Sequence, residues 1–389
     1  MKFDFDKVVD RHGTKCLKYD FAKERGRSDD MLPLWVADMD FPTAPGIQKS
    51  LSDAVAHGIY GYSEGKEDYF QAAAGWYEKH FGWKVEKEWL IKTPGVVFAL
   101  AMAVKAYTKE GDAVLLQQPV YYPFSEVITD RRLINSPLQQ IDGHYEINFE
   151  EFEQKIVEEN VKLFLMCSPH NPIGRVWKEW ELRKIGDICL KHNVLVVSDE
   201  IHSDFTYGEN IHHVFASLDE KYAAITTTCT APSKTFNIAG LQISNIWISN
   251  PELRARFRAE VTAAGYSQVN LMGLVACQAA YETGEEWLKE LKIYLEGNLD
   301  YVRTFLKENL PEIKLTEPEG TYLLWLDFKS LGMKEEQLKD LVENKAKLWL
   351  DSGAMFGPDG EGFERINIAC PREILKQALT QLAESVHDR

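Results

Sequence analysis

The chain has 389 residues, of which 45% are hydrophobic and 27% charged, globular proportions that exclude a disordered, collagen-like or disulfide-scaffold protein. Its 44 basic and 60 acidic residues leave a formal charge of −16, and a field of that sign repels nucleic-acid phosphates and anionic membranes. At ~150 residues per domain, the length suits two domains, or a large one with a smaller one attached.

At the start of the chain, Asp4 and Asp6 stand where a secretory leader needs an apolar stretch. No run reaches the ~18 apolar residues of a membrane span, so a cytoplasmic protein without membrane contact is expected. Leu34-Trp35-Val36-Ala37 is too short an apolar stretch to stand alone and needs a partner elsewhere. Val96 to Tyr107 is apolar nearly all round and predicts a buried helix, stopped by Glu110-Gly111-Asp112. Ala113 to Leu116 and Lys162 to Cys167 read as short buried strands. Glu179 to His192 is a helix with Leu182, Ile185, Ile188 and Cys189 on one face, followed by strands at Val194 to Ser198, Ala223 to Thr228 and Gln242 to Ile248. Continuous apolar strands alternating with helices imply an α/β fold with a mainly parallel central sheet covered by helices on both faces.

After about residue 285 the pattern changes. A long amphipathic helix (Trp287 to Asn309) precedes a strand (Tyr322 to Phe328), a helix, a strand (Arg365 to Cys370) and a last helix, which suggests a smaller α+β domain. The expected division is residues 46–284 for the large domain and 1–45 with 285–389 for the small one. Cys16, Cys167, Cys189, Cys229, Cys277 and Cys370 have neither paired nor metal-ligand spacing, so a reducing compartment and no metal site are expected.

The motifs GxGxxG, GxxxxGK[ST] and HExxH are absent, which removes the carriers of dinucleotide, P-loop and zincin chemistry. Instead, polar residues cluster just past the carboxyl ends of three predicted strands, where open α/β sheets bind ligands. The segments are Ser168-Pro169-His170-Asn171-Pro172-Ile173-Gly174, Asp199-Glu200-Ile201-His202 and Ser233-Lys234-Thr235-Phe236-Asn237. They bring an amide, a carboxylate and an amine to one edge. Taken singly, Asn171 is an ordinary turn former, Asp199 an N-cap and Lys234 a surface cation; three in succession at one edge make those separate readings improbable.

These segments, with Leu34-Trp35-Val36-Ala37-Asp38-Met39-Asp40-Phe41 and Arg365-Ile366-Asn367-Ile368-Ala369, resemble the MalY/PatB-type cystathionine β-lyases. Those are fold-type I pyridoxal phosphate enzymes of the class I/II aminotransferase superfamily, and the resemblance spans almost the whole chain. It implies an aspartate-aminotransferase-like large domain, the cofactor pyridoxal 5'-phosphate and a small amino-acid substrate. By position, Lys234 matches the lysine that condenses with the cofactor aldehyde, Asp199 the carboxylate facing its ring nitrogen, and Asn171 the amide on its phenolic oxygen. Tyr121 matches the aromatic residue stacked on the ring, with Tyr122 as the other candidate. Gly95, Val96 and Val97 open the buried helix and, with Ser233, supply donors for the phosphate.

Tyr60 matches a tyrosine that reaches the phosphate from the neighbouring subunit, which implies a homodimer. Arg365 matches the arginine that grips the substrate carboxylate, although alone it reads as an ion-paired strand residue. Trp35, Val36 and Ala37 match the segment lining the substrate pocket, and His202 stands where many aminotransferases carry a tyrosine. Eight positions after Lys234, where ordinary aminotransferases usually place a phosphate-binding arginine, this chain has Gln242. The MalY/PatB-like branch shares that loss. The expected reaction is therefore carbon–sulfur β-elimination from cystathionine or a related cysteine S-conjugate. A class I/II aminotransferase and a cofactor-holding regulatory protein are the alternatives.

Overall fold

The computed structural model describes residues 2–388. Seven strands build the larger sheet: β1 (Leu90–Thr93), β2 (Ala113–Leu116), β3 (Arg132–Asn135), β4 (Val161–Cys167), β5 (Leu195–Asp199), β6 (Thr226–Thr230) and β7 (Ser244–Trp247). Their spatial order is β1-β7-β6-β5-β4-β2-β3. From β6 to β3 all neighbours are parallel, whereas β7 runs against both β6 and β1. The mainly parallel sheet read from the alternation of apolar strands and helices is therefore present.

Side-chain alternation along β4 explains why both faces are covered. Leu163, Leu165 and Cys167 pack with Ala99, Leu100 and Ala103 of the helix Val96–Tyr107 on one face. Phe164 and Met166 pack with Leu182, Ile185 and Cys189 of the helix Glu179–Lys191 on the other. The small side chains of Ala99 and Ala103, one turn apart, let the first helix lie close to the sheet. Truncating the fully buried Leu100 to alanine would cost about 2–5 kcal/mol.

Two predicted strands move most. The strand expected from Ala223 starts at Thr226, because Glu220–Ala223 forms a helical turn capped by Asp219, whose carboxylate accepts from Lys221 N–H. The strand expected from Arg365 to Cys370 is Phe363–Asn367, and the Ala369 carbonyl beyond it accepts from Asp40 N–H. Strands β1 and β3 escaped the sequence pattern because Lys92, Arg132 and Asn135 interrupt their apolar character.

A second, antiparallel sheet has strands β8 (Lys314–Thr316), β9 (Leu323–Asp327), β10 (Asp351–Ser352) and β11 (Phe363–Asn367), in the order β8-β9-β11-β10. The N-terminal segment is fastened to this part of the chain: Leu32–Pro33 pairs in parallel with Leu348–Trp349. Asn367 Nδ2 also donates to the carbonyls of Val36 and Asp38, each at 2.6 Å. Among the described residues, no helix is long and apolar enough to cross a membrane.

Candidate active site

Parallel register sets the site. Cys167, Asp199 and Cys229 stand abreast at the carboxyl edge of β4, β5 and β6. The chain past this edge encloses a cavity of about 240 Å³. Gly95, Val96, Val97, Tyr121, Asn171, Asp199, His202, Ser233, Lys234 and Ala37 all line it.

One end of the cavity is the start of the helix Val96–Tyr107. Its first N–H groups have no partner within the helix, and the helix dipole adds positive potential, so this end suits an anion. Gly95 has φ +152°, a conformation L side chains rarely adopt, and a Cβ built there would meet nothing within 4 Å. Glycine is therefore required by the backbone angle, and the space in front of it is open.

Asp199 ends β5 and is 5% exposed; its Oδ1 accepts from Ile201 N–H at 3.1 Å. Burial pushes its carboxyl up to about 7, with the Ile201 N–H and Lys234 pulling the other way. Lys234 lies in the helical turn Pro232–Thr235 that follows β6, and its Nζ donates to the Ala37 carbonyl at 2.8 Å. Burial lowers its ammonium to about 8; Asp38 opposes this shift, Arg365 adds to it and Asp199 opposes it. The Ala37 carbonyl also accepts from Tyr322 Oη at 3.0 Å.

Asn171 Oδ1 accepts from Arg365 Nη1 at 3.0 Å, and the Asn171 carbonyl accepts from Tyr121 N–H at 3.0 Å. Burial raises the Tyr121 phenol above its ordinary range. Tyr122, with its ring 5.0 Å from that of Tyr121, lines a different cavity. His202 is buried, its ring 5.9 Å from that of Tyr322 at 71°, and its Nδ1 has no partner among the described residues. Burial holds that imidazole well below its usual value.

Four candidates stand outside the lining. Arg365 lies behind Asn171, where it also donates to the Trp35 carbonyl at 2.9 Å and pairs with Asp351. The Trp35 indole stacks on Trp349 at 4.4 Å and 10°. Val36 lines an adjoining cavity of about 640 Å³ that shares Ala37, Lys234 and Ala239 with the first. Tyr60 is 59% exposed, its hydroxyl donates to the Val55 carbonyl, and it lines a groove that shares Pro94 and Gln242 with the cavity.

Residues that the sequence did not single out also line the cavity, among them Phe98, Cys167, Ile201 and Ile243. Asp351 is the important omission, since it balances the charge of Arg365. A carboxylate closing the apolar run Leu348-Trp349-Leu350 was its one available signal.

The donor set has a definite complement. An anion fits the helix start, a cationic ring nitrogen fits the buried carboxyl of Asp199, and a carbonyl carbon within reach of Lys234 fits its buried amine. Asp199 has a single backbone donor and a carboxyl made a weaker acid by burial, the condition of a carboxylate whose cationic partner is supplied by a ligand. Pyridoxal 5'-phosphate carries all three groups.

The chain matches the family described as aminotransferase class I and II over residues 29–382. It is 43% identical over 381 residues to cystathionine beta-lyase PatB of Bacillus subtilis (strain 168), covering 97% of this chain and 98% of that one. Identity to protein MalY of Escherichia coli (strain K12) is 33% over 389 residues, 99% of each chain. The crystal structure of cystalysin from Treponema denticola, which contains a pyridoxal 5'-phosphate cofactor, superposes with a TM-score of 0.96 at 39% identity, covering 100% of both chains. The resemblance carried by the three strand-end motifs thus extends over the full length, and the chain belongs to the aminotransferase class I and II family.

Proposed function

We propose that the protein is a pyridoxal phosphate-dependent carbon–sulfur β-lyase that cleaves cystathionine or a related cysteine S-conjugate to a thiol, pyruvate and ammonia. The observation that carries this reading is the meeting of Lys234, Asp199 and the start of the helix Val96–Tyr107 on the walls of one cavity. The family membership and the relatives named cystathionine beta-lyase agree with it.

When bound, the cofactor supplies an aldehyde that captures a primary amine and a cationic ring that withdraws electrons from the carbon bearing that amine. The N–H groups of Val96 and Val97, with the Ser233 hydroxyl, hold the phosphate. Asp199 holds the ring nitrogen in its protonated form, a service made stronger by its burial. Asn171 would hold the phenolic oxygen and Tyr121 would pack on the ring, and His202 lines the same cavity. Lys234 Nζ, whose basicity is lowered by burial, takes the proton from the substrate Cα. Arg365 orients the substrate carboxylate with its planar fork, and Trp35, Val36 and Ala37 shape the approach to Lys234.

We also assign the cofactor site to a large domain of residues 46–284, with 1–45 and 285–389 forming the smaller domain. The strands of the larger sheet lie between Leu90 and Trp247, and those of the smaller between Lys314 and Asn367, in keeping with that division. A homodimer is proposed because Tyr60 lies outside its own cavity, exposed, on a groove adjoining Pro94 and Gln242, where it is free to serve a second copy. The proposed location is the cytoplasm.

The test is to mix the cofactor-loaded protein with cystathionine and no added keto acid. Pyruvate and a free thiol in equal amounts support the lyase. Absence of pyruvate, with the cofactor converted to its amine form, overturns it in favour of a transaminase.

A further inference from the structure

Away from Lys234, a cavity of about 450 Å³ opens between the helix Glu67–Phe81, the loop 203–212 and the start of the helix Glu285–Asn309. That volume falls in the ~300–1,000 Å³ range of small-molecule sites. Its walls carry groups of both charges whose bonding capacity is not used up.

Asp204 is 8% exposed and accepts from Trp76 Nε1 at 3.1 Å on one oxygen and from Thr235 Oγ1 at 2.6 Å on the other. Each oxygen keeps further acceptor capacity. His212 donates from Nε2 to Glu200 Oε2 at 2.8 Å, because a carboxylate only accepts. Its Nδ1 has no partner among the described residues, and the side chain is 1% exposed. Lys292 lines the same cavity and makes no hydrogen bond or ion pair among the described residues. Burial lowers its ammonium, with Asp204 and Glu296 opposing the shift. Phe81, Ile211 and Leu288 supply an apolar wall.

A buried carboxylate at Asp204, the ammoniums of Lys289 and Lys292, which make no hydrogen bond or ion pair among the described residues, and an apolar surface form the complement of a free α-amino acid. Its ammonium suits Asp204, its carboxylate suits Lys292 and Lys289, and an uncharged side chain suits Phe81, Ile211 and Leu288. The geometry points to a second amino-acid-binding site in this cavity, separate from the one around Lys234. It is also joined to that site. Thr235, which bonds Asp204, adjoins Lys234, and Glu200, which bonds His212, adjoins Asp199. An occupant drawing on Asp204 therefore acts on a support of Lys234, and linkage makes the effect reciprocal.

The experiment uses the cofactor-loaded protein after borohydride reduction, which fixes the cofactor to Lys234 and closes that site to exchange. L-Methionine is titrated into it by calorimetry. The expected result is one binding event per chain, weakened about tenfold or more in Lys292→Ala and with N-acetyl-L-methionine, which lacks the ammonium. Lys292→Ala keeps the wild-type kcat on cystathionine, which shows that the fold is intact. No binding heat, equal affinity in Lys292→Ala, or equal affinity for the N-acetyl compound overturns the proposal. Failure of the cofactor assignment reads out separately, as cofactor lost on dialysis after reduction.

Discussion

Arg365 on β11 donates to Asn171 Oδ1, past the end of β4, at 3.0 Å, so one hydrogen bond ties the smaller sheet to the ligand edge of the larger. The same guanidinium serves the Trp35 carbonyl and Asp351. A lysine keeps the charge but not the planar fork that reaches three partners. Arg365→Lys should raise KM for cystathionine and lower kcat/KM about tenfold or more, with a smaller change in kcat. Steady-state kinetics with an unchanged KM would remove Arg365 from substrate binding.

Asp351 and Arg365 are 3% and 2% exposed. Removing the carboxylate leaves a buried guanidinium without its counter-charge, which typically costs about 3–5 kcal/mol. Asp351→Ala should show this as a lower midpoint in urea unfolding with an unchanged slope. A loss under about 1 kcal/mol would mean that water reaches the arginine.

In the proposed function Lys234 is both the amine that fixes the cofactor and the base that takes the Cα proton, and Lys234→Ala removes both. The yellow absorbance of the lysine-linked cofactor should disappear, and pyruvate release should fall by about 10²–10⁴-fold. Retention of the colour after extensive dialysis would assign the link to another lysine.

Burial raises Asp199 from 3.8 to about 7, so the folded cofactor-free protein binds more protons than the unfolded chain between those values. The stability from this group is complete below its unfolded value and is lost as pH rises through about 7. Asp199→Asn should flatten that part of the Tm profile in the cofactor-free protein between about pH 4 and 8. Bound cofactor should flatten it in the wild type, because a cationic ring nitrogen offsets the buried charge. Parallel profiles for wild type and variant without cofactor would contradict the account.

Asn171, Asp199 and Lys234 were legible because each stands at or just past the end of a strand of a parallel sheet, where strand ends converge on one edge. Asp351 was not, because its strand is two residues long and its partner faces it across the ladder rather than along the sequence. Trp35 and Ala37 share a short apolar stretch, yet one ring stacks on Trp349 while the other residue's carbonyl meets Lys234. Sequence pattern reports which side chains are apolar; it does not report which backbone groups face a cavity. The long helix after residue 284 was visible from its 3.6-residue period, whereas β3 hid behind the charges of an edge strand.

The wall that carries the Ala37 carbonyl is fastened by Arg365, Asn367 and Ala369, residues from the opposite end of the chain. During synthesis, about the first forty residues must wait for nearly all the rest to leave the ribosome before they find their place. Until then Lys234 faces a half-built chamber. Capture of the vitamin is therefore an act of the finished polypeptide, and a prematurely stopped chain would stay colourless.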